Sequence, residues 1–359
     1  MDPAPIVSSS APIGVVFSGE LPGPEQDPDP RPPPGDIPHH GSQGIGFFPR
    51  YTDGFLLTQT PSSSILTSPS LDGFYTYFFP AHPFVLPRAQ FTQQFDADSN
   101  AVSELLVAMT LIGALYTRDA QSHISRQHAE QALEKTLPAT GFAVQALMLF
   151  ALCLEWCGEG DRAGEVLGRA RTVALQIGLH RQGFAADYGQ GNPVLEECWR
   201  RTWWELYVVD ALFAGIRHWP SFSLCTMGAD VYLPSDEELY VPGVSRLTIL
   251  LPSLPDAGSA NFTKDIPPLR TLKEYDDRCF EERAESFSSF TYLIDAARIL
   301  GTTLAAGDIA GGSPMSLVKN AEANIMSWDL HLPQCKRDPV KSNGHVDEVL
   351  FRAHLMINT

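Results

Sequence analysis

Asn192-Pro193-Val194-Leu195-Glu196-Glu197-Cys198-Trp199-Arg200-Arg201-Thr202-Trp203-Trp204-Glu205-Leu206-Tyr207-Val208-Val209-Asp210-Ala211-Leu212-Phe213-Ala214-Gly215-Ile216 decides the fold class. Asparagine then proline is a helix start: the amide caps, and proline is tolerated in the first turn, where its missing N–H would be unpaired anyway. Glu196 and Glu197 follow where the helix dipole favours negative charge. Trp199, Trp203, Leu206 and Phe213 then line one face, and Trp204, Tyr207, Val208 and Leu212 another. A helix apolar on two faces belongs inside a bundle. Asp210 is therefore a carboxylate in a buried stretch, and it needs a partner. Along the helix, i,i+4 spacing offers Glu197–Arg201 and Arg201–Glu205 as ion pairs.

Upstream, apolar periodicity predicts helices over Ala101–Arg118, Ile124–Leu137 and Phe142–Cys157. Asp161 is placed to cap a further helix in which Ala163, Leu167, Ala170, Ala174 and Ile177 repeat, and Gly178 stops it. An aromatic cluster, Phe74 to Phe84, reads as core at the edge of the domain. Downstream, Pro220, Pro234, Pro242, Pro252, Pro255, Pro267 and Pro268 exclude a long helix over 219–270, an extended connection. Helical spacing returns over Glu281–Ala305 and over Pro314–Trp328, the latter capped by Ser313. A last pattern, Val346–Ile357, runs to the C-terminus without a stop signal. No alternating strand pattern competes. The fold class is all-α: a multi-helix bundle with a long proline-rich connection, preceded by a disordered N-terminal segment.

That segment, 1–72, holds 14 of the 29 prolines, with eight acidic and two basic residues. Such a composition cannot bury enough surface to offset its ordering entropy. Phe17, Phe47, Phe48, Tyr51 and Phe55 among the acids permit an activation segment; a solvated linker is the plainer reading. Thr60-Pro61 and Ser68-Pro69 have the form of proline-directed phosphorylation sites. Residues 73–359 form the domain proper.

The 25 basic and 42 acidic residues give a net charge of -17, which repels phosphate backbones and anionic lipid. Lysine is scarce and no basic cluster occurs. The longest apolar runs, Leu105–Leu115 and Phe142–Leu154, fall short of the roughly 20 residues a bilayer crossing needs. The six cysteines (Cys153, Cys157, Cys198, Cys225, Cys279, Cys335) are scattered and read as reduced intracellular thiols. Cys153 and Cys157 share a helical face without a nearby histidine or cysteine to complete a tetrahedron, so both read as buried apolar cysteines.

No nucleophile elbow, P-loop or dinucleotide fingerprint occurs. Asp276-Asp277, within Asp276-Asp277-Arg278-Cys279-Phe280-Glu281-Glu282, is the one constellation with catalytic form. Adjacent aspartates on a bundle helix can hold magnesium and a diphosphate, as in terpene cyclases. That chemistry needs a second metal motif on a facing helix, and none is found. Lys273, Arg278 and Arg283 at helical spacing favour an ion-paired solvated face.

Ala174-Leu175-Gln176-Ile177-Gly178-Leu179-His180-Arg181, followed by Glu196 through Asp210, resembles the signature of the fungal-specific transcription factor domain. This is the middle homology region of regulators that carry a zinc binuclear-cluster DNA-binding module. Tyr77-Phe78-Phe79-Pro80-Ala81-His82-Pro83-Phe84-Val85-Leu86-Pro87 resembles its opening. Asp230, Leu233-Pro234, Trp328, Leu332-Pro333 and Leu350-Phe351-Arg352-Ala353-His354 resemble its later marks. The match covers about residues 74–359.

The resemblance implies the regulatory half of such a protein. The first cysteine is Cys153, so the zinc-cysteine module has no counterpart here and zinc is expected only with an upstream module. The family's closing helix is longer, so the sequence reads as C-terminally truncated, with exposed apolar residues at that end. The implied partners are transcriptional co-regulators or a homo- or heterodimer partner, with a small-molecule effector as a further candidate. DNA is contacted only indirectly, no membrane is involved, and the location is the nucleus. Arg200, Arg201, Trp203, Trp204 and Asp210 are the candidate site residues on the signature helix. Internal ion pairing is the favoured role of Arg200, Arg201 and Asp210, over ligand contact. A bundle enzyme using Asp276 and Asp277, or a helical scaffold, are the alternative functions.

Overall fold

A computed structural model of the chain describes residues 66–117, 122–240, 268–277, 286–308, 314–341 and 344–358. The elements are α1 (Pro69–Gly73), a π-helical turn (Phe74–Phe78), α2 (Arg88–Ala97), α3 (Ser103–Thr117), α4 (Ser122–Leu133), α5 (Gly141–Trp156), α6 (Gly160–Gln176), α7 (Phe184–Tyr188), α8 (Pro193–Ile216), α9 (Glu237–Tyr240), α10 (Leu272–Asp277), α11 (Ser289–Asp308), α12 (Pro314–His331) and α13 (Glu348–Ile357). Among the described residues the only β feature is an isolated bridge, Val340 to Val346. The all-α class holds.

Helix α8 is the axis. Asn192 caps it, its Oδ1 accepting from Val194 N (3.0 Å) and Leu195 N (3.4 Å), with Pro193 in the first turn. Helices α5, α6, α7 and α11 pack around it, and α3 and α13 form the next layer against α5 and α11. Trp203, Leu206, Val208, Val209 and Phe213 are wholly buried, so α8 is enclosed all round. Helix α5 is apolar on every side for the same reason, and Thr140 caps it by accepting from Ala143 N at 3.1 Å. Helix α6 is amphipathic, burying Ala163, Leu167, Ala170 and Ala174. It stops where Gly178 takes φ +76°, a left-handed conformation open to glycine without penalty.

Several local expectations shift. Helix α6 begins at Gly160, so Asp161 lies in its first turn rather than at the cap. Glu159 holds the cap position, makes no capping bond and pairs with Arg126 and Arg162 instead. The predicted Glu281–Ala305 helix starts at Ser289 among the described residues, after Ser288 Oγ accepts from Thr291 N at 3.2 Å. Helix α12 runs on to His331, and Ser313 lies outside the described residues. Helix α13 starts at Glu348, capped by Asp347. Cys157 is exposed, unlike Cys153, because it sits just past the end of α5.

Residues 1–65 lie outside the described residues, with the phenylalanines and Thr60-Pro61 read as tail features. Leu66 to Asp72, assigned to that tail by composition, packs on the bundle: Leu71 is buried, and Ser68 caps α1 through a 3.2 Å bond from Leu71 N. Ser68-Pro69 is thus a helix start, with proline in the first turn.

Candidate functional site

Of the candidate residues, Arg201 lies in a buried polar clasp between α8 and four segments distant in sequence. Between the π-helical turn and α2 the chain crosses the core without regular structure. Phe84, Val85 and Leu86 are buried there, so their carbonyls need donors. Side chains supply them. Arg352 donates to Ala81 O (2.6 Å), Arg201 to Pro83 O (3.3 Å), Gln145 to Phe84 O (3.0 Å), Tyr240 to Val85 O (2.7 Å) and Tyr75 to Leu86 O (3.0 Å). This strap, 79–87, is held by α8, α5, α9, α13 and the π-helical turn together.

Arg201 is wholly buried. Its Nε donates to Glu197 Oε1 (2.8 Å) and its Nη2 to Ser235 O (2.7 Å), while its guanidinium lies 4.3 Å from the Tyr240 ring centre. Glu197 also accepts from Ser235 N (2.9 Å) and from Arg200 Nε (2.9 Å). One ion pair therefore fixes the connection after α8 as well as the strap before α2. The 219–240 part of that connection lies on α8: Trp204 Nε1 donates to Tyr232 O at 3.0 Å.

The expected Arg201–Glu205 pair does not form. A carboxylate N-terminal to its cation is the better i,i+4 order, in keeping with the helix dipole. Arg201 accordingly reaches back to Glu197. Glu205, wholly buried, takes Arg352 of α13 (2.8 and 3.3 Å) and His82 Nδ1 of the strap (2.8 Å). Burial alone would raise the Glu205 carboxyl, but Arg352 and His82 hold it down at about 2. Burial, then the charge of Arg352, bring His82 down to about 4, so it is neutral and donates Nδ1–H to Glu205.

Asp210 finds its partners in Arg171 of α6 and in Leu224 N (2.9 Å). Burial still pushes its carboxyl above the ordinary range. Beside this pair opens a cleft of about 1010 Å³, lined by Leu137, Arg169, Arg171, Leu175, Leu224 and Met227 among others. Trp203 is wholly buried, and neither its Nε1 nor the neighbouring His180 Nδ1 has a hydrogen-bond partner among the described residues.

Asp276 and Asp277 are exposed on α10. Asp276 pairs with Arg298 of α11 (2.8 and 3.2 Å), and Glu281, Arg278 and Arg283 lie outside the described residues. Among the described residues no group of three or more histidine, cysteine or acidic side chains could hold a metal ion.

Arg200, Arg201, Trp203, Trp204 and Asp210 thus share one helix but make three separate sets of contacts. Sequence reasoning about α8 missed Gln145, Tyr240, His82 and Arg352 as members of the clasp. The last two do stand inside the opening and closing marks of the resemblance. The model of the fungal specific transcription factor domain matches residues 71–301. The C6 finger domain transcription factor iacK of Pestalotiopsis fici is 33% identical over 292 residues, 80% of this chain and 39% of that protein. The activatory protein CHA4 of Saccharomyces cerevisiae is 25% identical over 222 residues, 52% of this chain and 34% of that protein. The chain therefore spans well under half the length of these curated relatives. No solved structure matches. On the family match across 71–301, the chain belongs to the fungal-specific transcription factor domain family.

Proposed function

We propose that this chain is the regulatory, non-DNA-reading part of a fungal transcription factor, working in the nucleus by binding protein co-regulators or a homo- or heterodimer partner. The observation that carries the reading is the family match over 71–301, more than half the chain. Relatives named as a C6 finger transcription factor and as an activatory protein support it. The surface charge of -17 supports indirect rather than direct contact with DNA. Zinc then belongs to a module outside this chain. Non-enzymatic action fits the candidate residues, whose charged groups Arg201, Glu205 and Asp210 are all engaged in holding segments together.

The test is a fusion of the whole chain to an unrelated DNA-binding module, read with a reporter gene. A several-fold change in reporter output against the module alone, at equal protein level, is the expected result. Output equal to the module alone would overturn the reading. A small-molecule effector is the second reading, favoured by the cleft beside Arg171 and Leu224. There, replacing Met227 by tryptophan should abolish any dependence of the reporter on added metabolite extract; persistence of that dependence would sink it.

A further inference from the structure

Cys153 and Cys157 stand one helical turn apart at the end of α5. Cys157 N donates to Cys153 O at 3.0 Å, which closes that turn and sets both side chains on one face. Their surroundings differ. Cys153 is 1% exposed and belongs to the core, whereas Cys157, the residue that ends the helix, is exposed. In such a pair the accessible thiol meets an oxidant and the buried one resolves the product. The remaining cysteines lack this arrangement: Cys198, Cys225, Cys279 and Cys335 each stand more than a turn from any other cysteine in sequence.

Distance decides whether the two sulfurs can join. Residues four apart on a helix hold their Cβ atoms about 5–6 Å apart, and a disulfide needs about 3.5–4.5 Å, so the turn must tighten by about 1–2 Å. In the middle of a helix the hydrogen-bond ladder resists this. Cys157 has already left the ladder, with ψ near 2°. Gly158 follows at φ +78°, and nothing lies within 4 Å of where its Cβ would stand. The backbone on the far side of Cys157 therefore borders open space and can yield. Burial pushes the Cys153 thiol up to about 12 and keeps it protonated, so the first oxidation falls on Cys157.

We infer that Cys157 is an oxidation site, taken by hydrogen peroxide to a sulfenic acid that Cys153 resolves as a disulfide within the last turn of α5. In the first step the Cys157 thiolate attacks one peroxide oxygen. The S–O bond forms, the O–O bond breaks, and the other oxygen leaves as hydroxide. In the second step the Cys153 sulfur attacks the Cys157 sulfur. The S–S bond forms, the S–O bond breaks, and the hydroxyl leaves as water with the Cys153 proton. The two sulfurs together give up two electrons and the peroxide takes them. A dithiol reverses the change by thiol–disulfide exchange.

The turn that closes also carries links between helices. Glu155 holds Arg217 at the end of α8, and Glu159 holds Arg126 of α4 and Arg162 of α6. Tightening between Cys153 and Cys157 moves the backbone that bears both carboxylates, so the modification reaches the junction of α4, α6 and α8. The inference goes beyond the transcriptional reading and does not rest on it.

The test treats the folded, reduced full chain with hydrogen peroxide, blocks the remaining thiols with N-ethylmaleimide in denaturant, and reads tryptic peptides by mass spectrometry. No lysine or arginine lies between Lys135 and Arg162, so one peptide carries both cysteines. In the parent that peptide should emerge unlabelled and two hydrogens lighter, and dithiothreitol before blocking should return it to the doubly labelled form. Cys153→Ala should stop at the sulfenic acid, with dimedone trapping at Cys157 about tenfold above the parent's. Cys157→Ala should leave Cys153 reduced. Oxygen added to Cys157 of the parent with Cys153 still labelled, equal dimedone trapping in the parent and Cys153→Ala, or a bond from Cys157 to Cys335 or to a second copy of the chain would each overturn the inference.

Discussion

Arg352 of α13 and Glu205 of α8, 147 positions apart, form a two-pronged ion pair at 2.8 and 3.3 Å, with Glu205 wholly buried. The same guanidinium donates to Ala81 O, so one side chain joins α13, α8 and the strap. Replacing Arg352 by alanine leaves a buried carboxylate with His82 as its remaining partner. Breaking a buried pair from one side costs about 3–5 kcal/mol. Thermal unfolding of Arg352→Ala should show a loss of that size. A melting point within a degree or two of the parent would mean that α13 docks by its apolar face alone.

The clasp also predicts acid sensitivity. His82 stays neutral when folded because its pKa is lowered from 6.5 to about 4. The unfolded chain takes up a proton over that interval while the folded chain does not, so stability falls as pH drops from 6.5 to 4. The difference corresponds to about 3 kcal/mol. Glu205 acts in the same direction at lower pH: its contribution is intact above the ordinary carboxylate range and is lost as pH falls toward about 2. Urea midpoints across pH 7 to 4 should decline in the parent and decline less in His82→Gln. Parallel declines would remove His82 from the account.

Trp203 and Trp204 are 0% and 2% exposed. Either changed to alanine should cost about 3–5 kcal/mol, enough to threaten folding of a marginal domain. Trp156→Ala, at a half-exposed ring resting on Phe78 and Tyr116, is the comparison and should cost clearly less than either. Trp204→Phe separates burial from hydrogen bonding: it strands Tyr232 O and should cost about 1–3 kcal/mol.

Gly113→Ala should destabilise the chain by at least about 1–3 kcal/mol, since the added methyl meets the Ser70 carbonyl and overpacking is not relieved by rotating a side chain. The displaced π-turn should also part Tyr77 from Tyr116, on whose ring it stacks at 6.0 Å. Near-ultraviolet circular dichroism reads both rings; an unchanged spectrum with unchanged stability would show that α1 can move away freely.

The helices around α8 were legible because their signals are local. Asn192 and Pro193 act within one turn, Gly178 ends α6 by its own backbone freedom, and Glu197–Arg201 is an i,i+4 pair in the favourable order. The clasp was only half legible. Asp210 announced that it needed a partner, but nothing near it named Arg171. Composition placed Leu66 to Asp72 in the tail, yet Leu71 is buried, because composition averages over a segment and burial is decided residue by residue.

The sequence by itself determined the all-α class, the family, the central helix and its burial, since helix formation rests on residues within about four positions of one another. Tertiary structure decided which charges meet. Glu205 had an arginine four residues before it and took another 147 residues away, because Arg201 is already committed to Glu197 and because α13 delivers Arg352 to a carboxylate already out of water. An exposed cluster of three aromatic rings is of the same kind. Tyr77, Tyr116 and Trp156 stand on three elements with no common period, and only the packing of those elements stacks Tyr77 on Tyr116 and sets Trp156 edge-on to it at the surface.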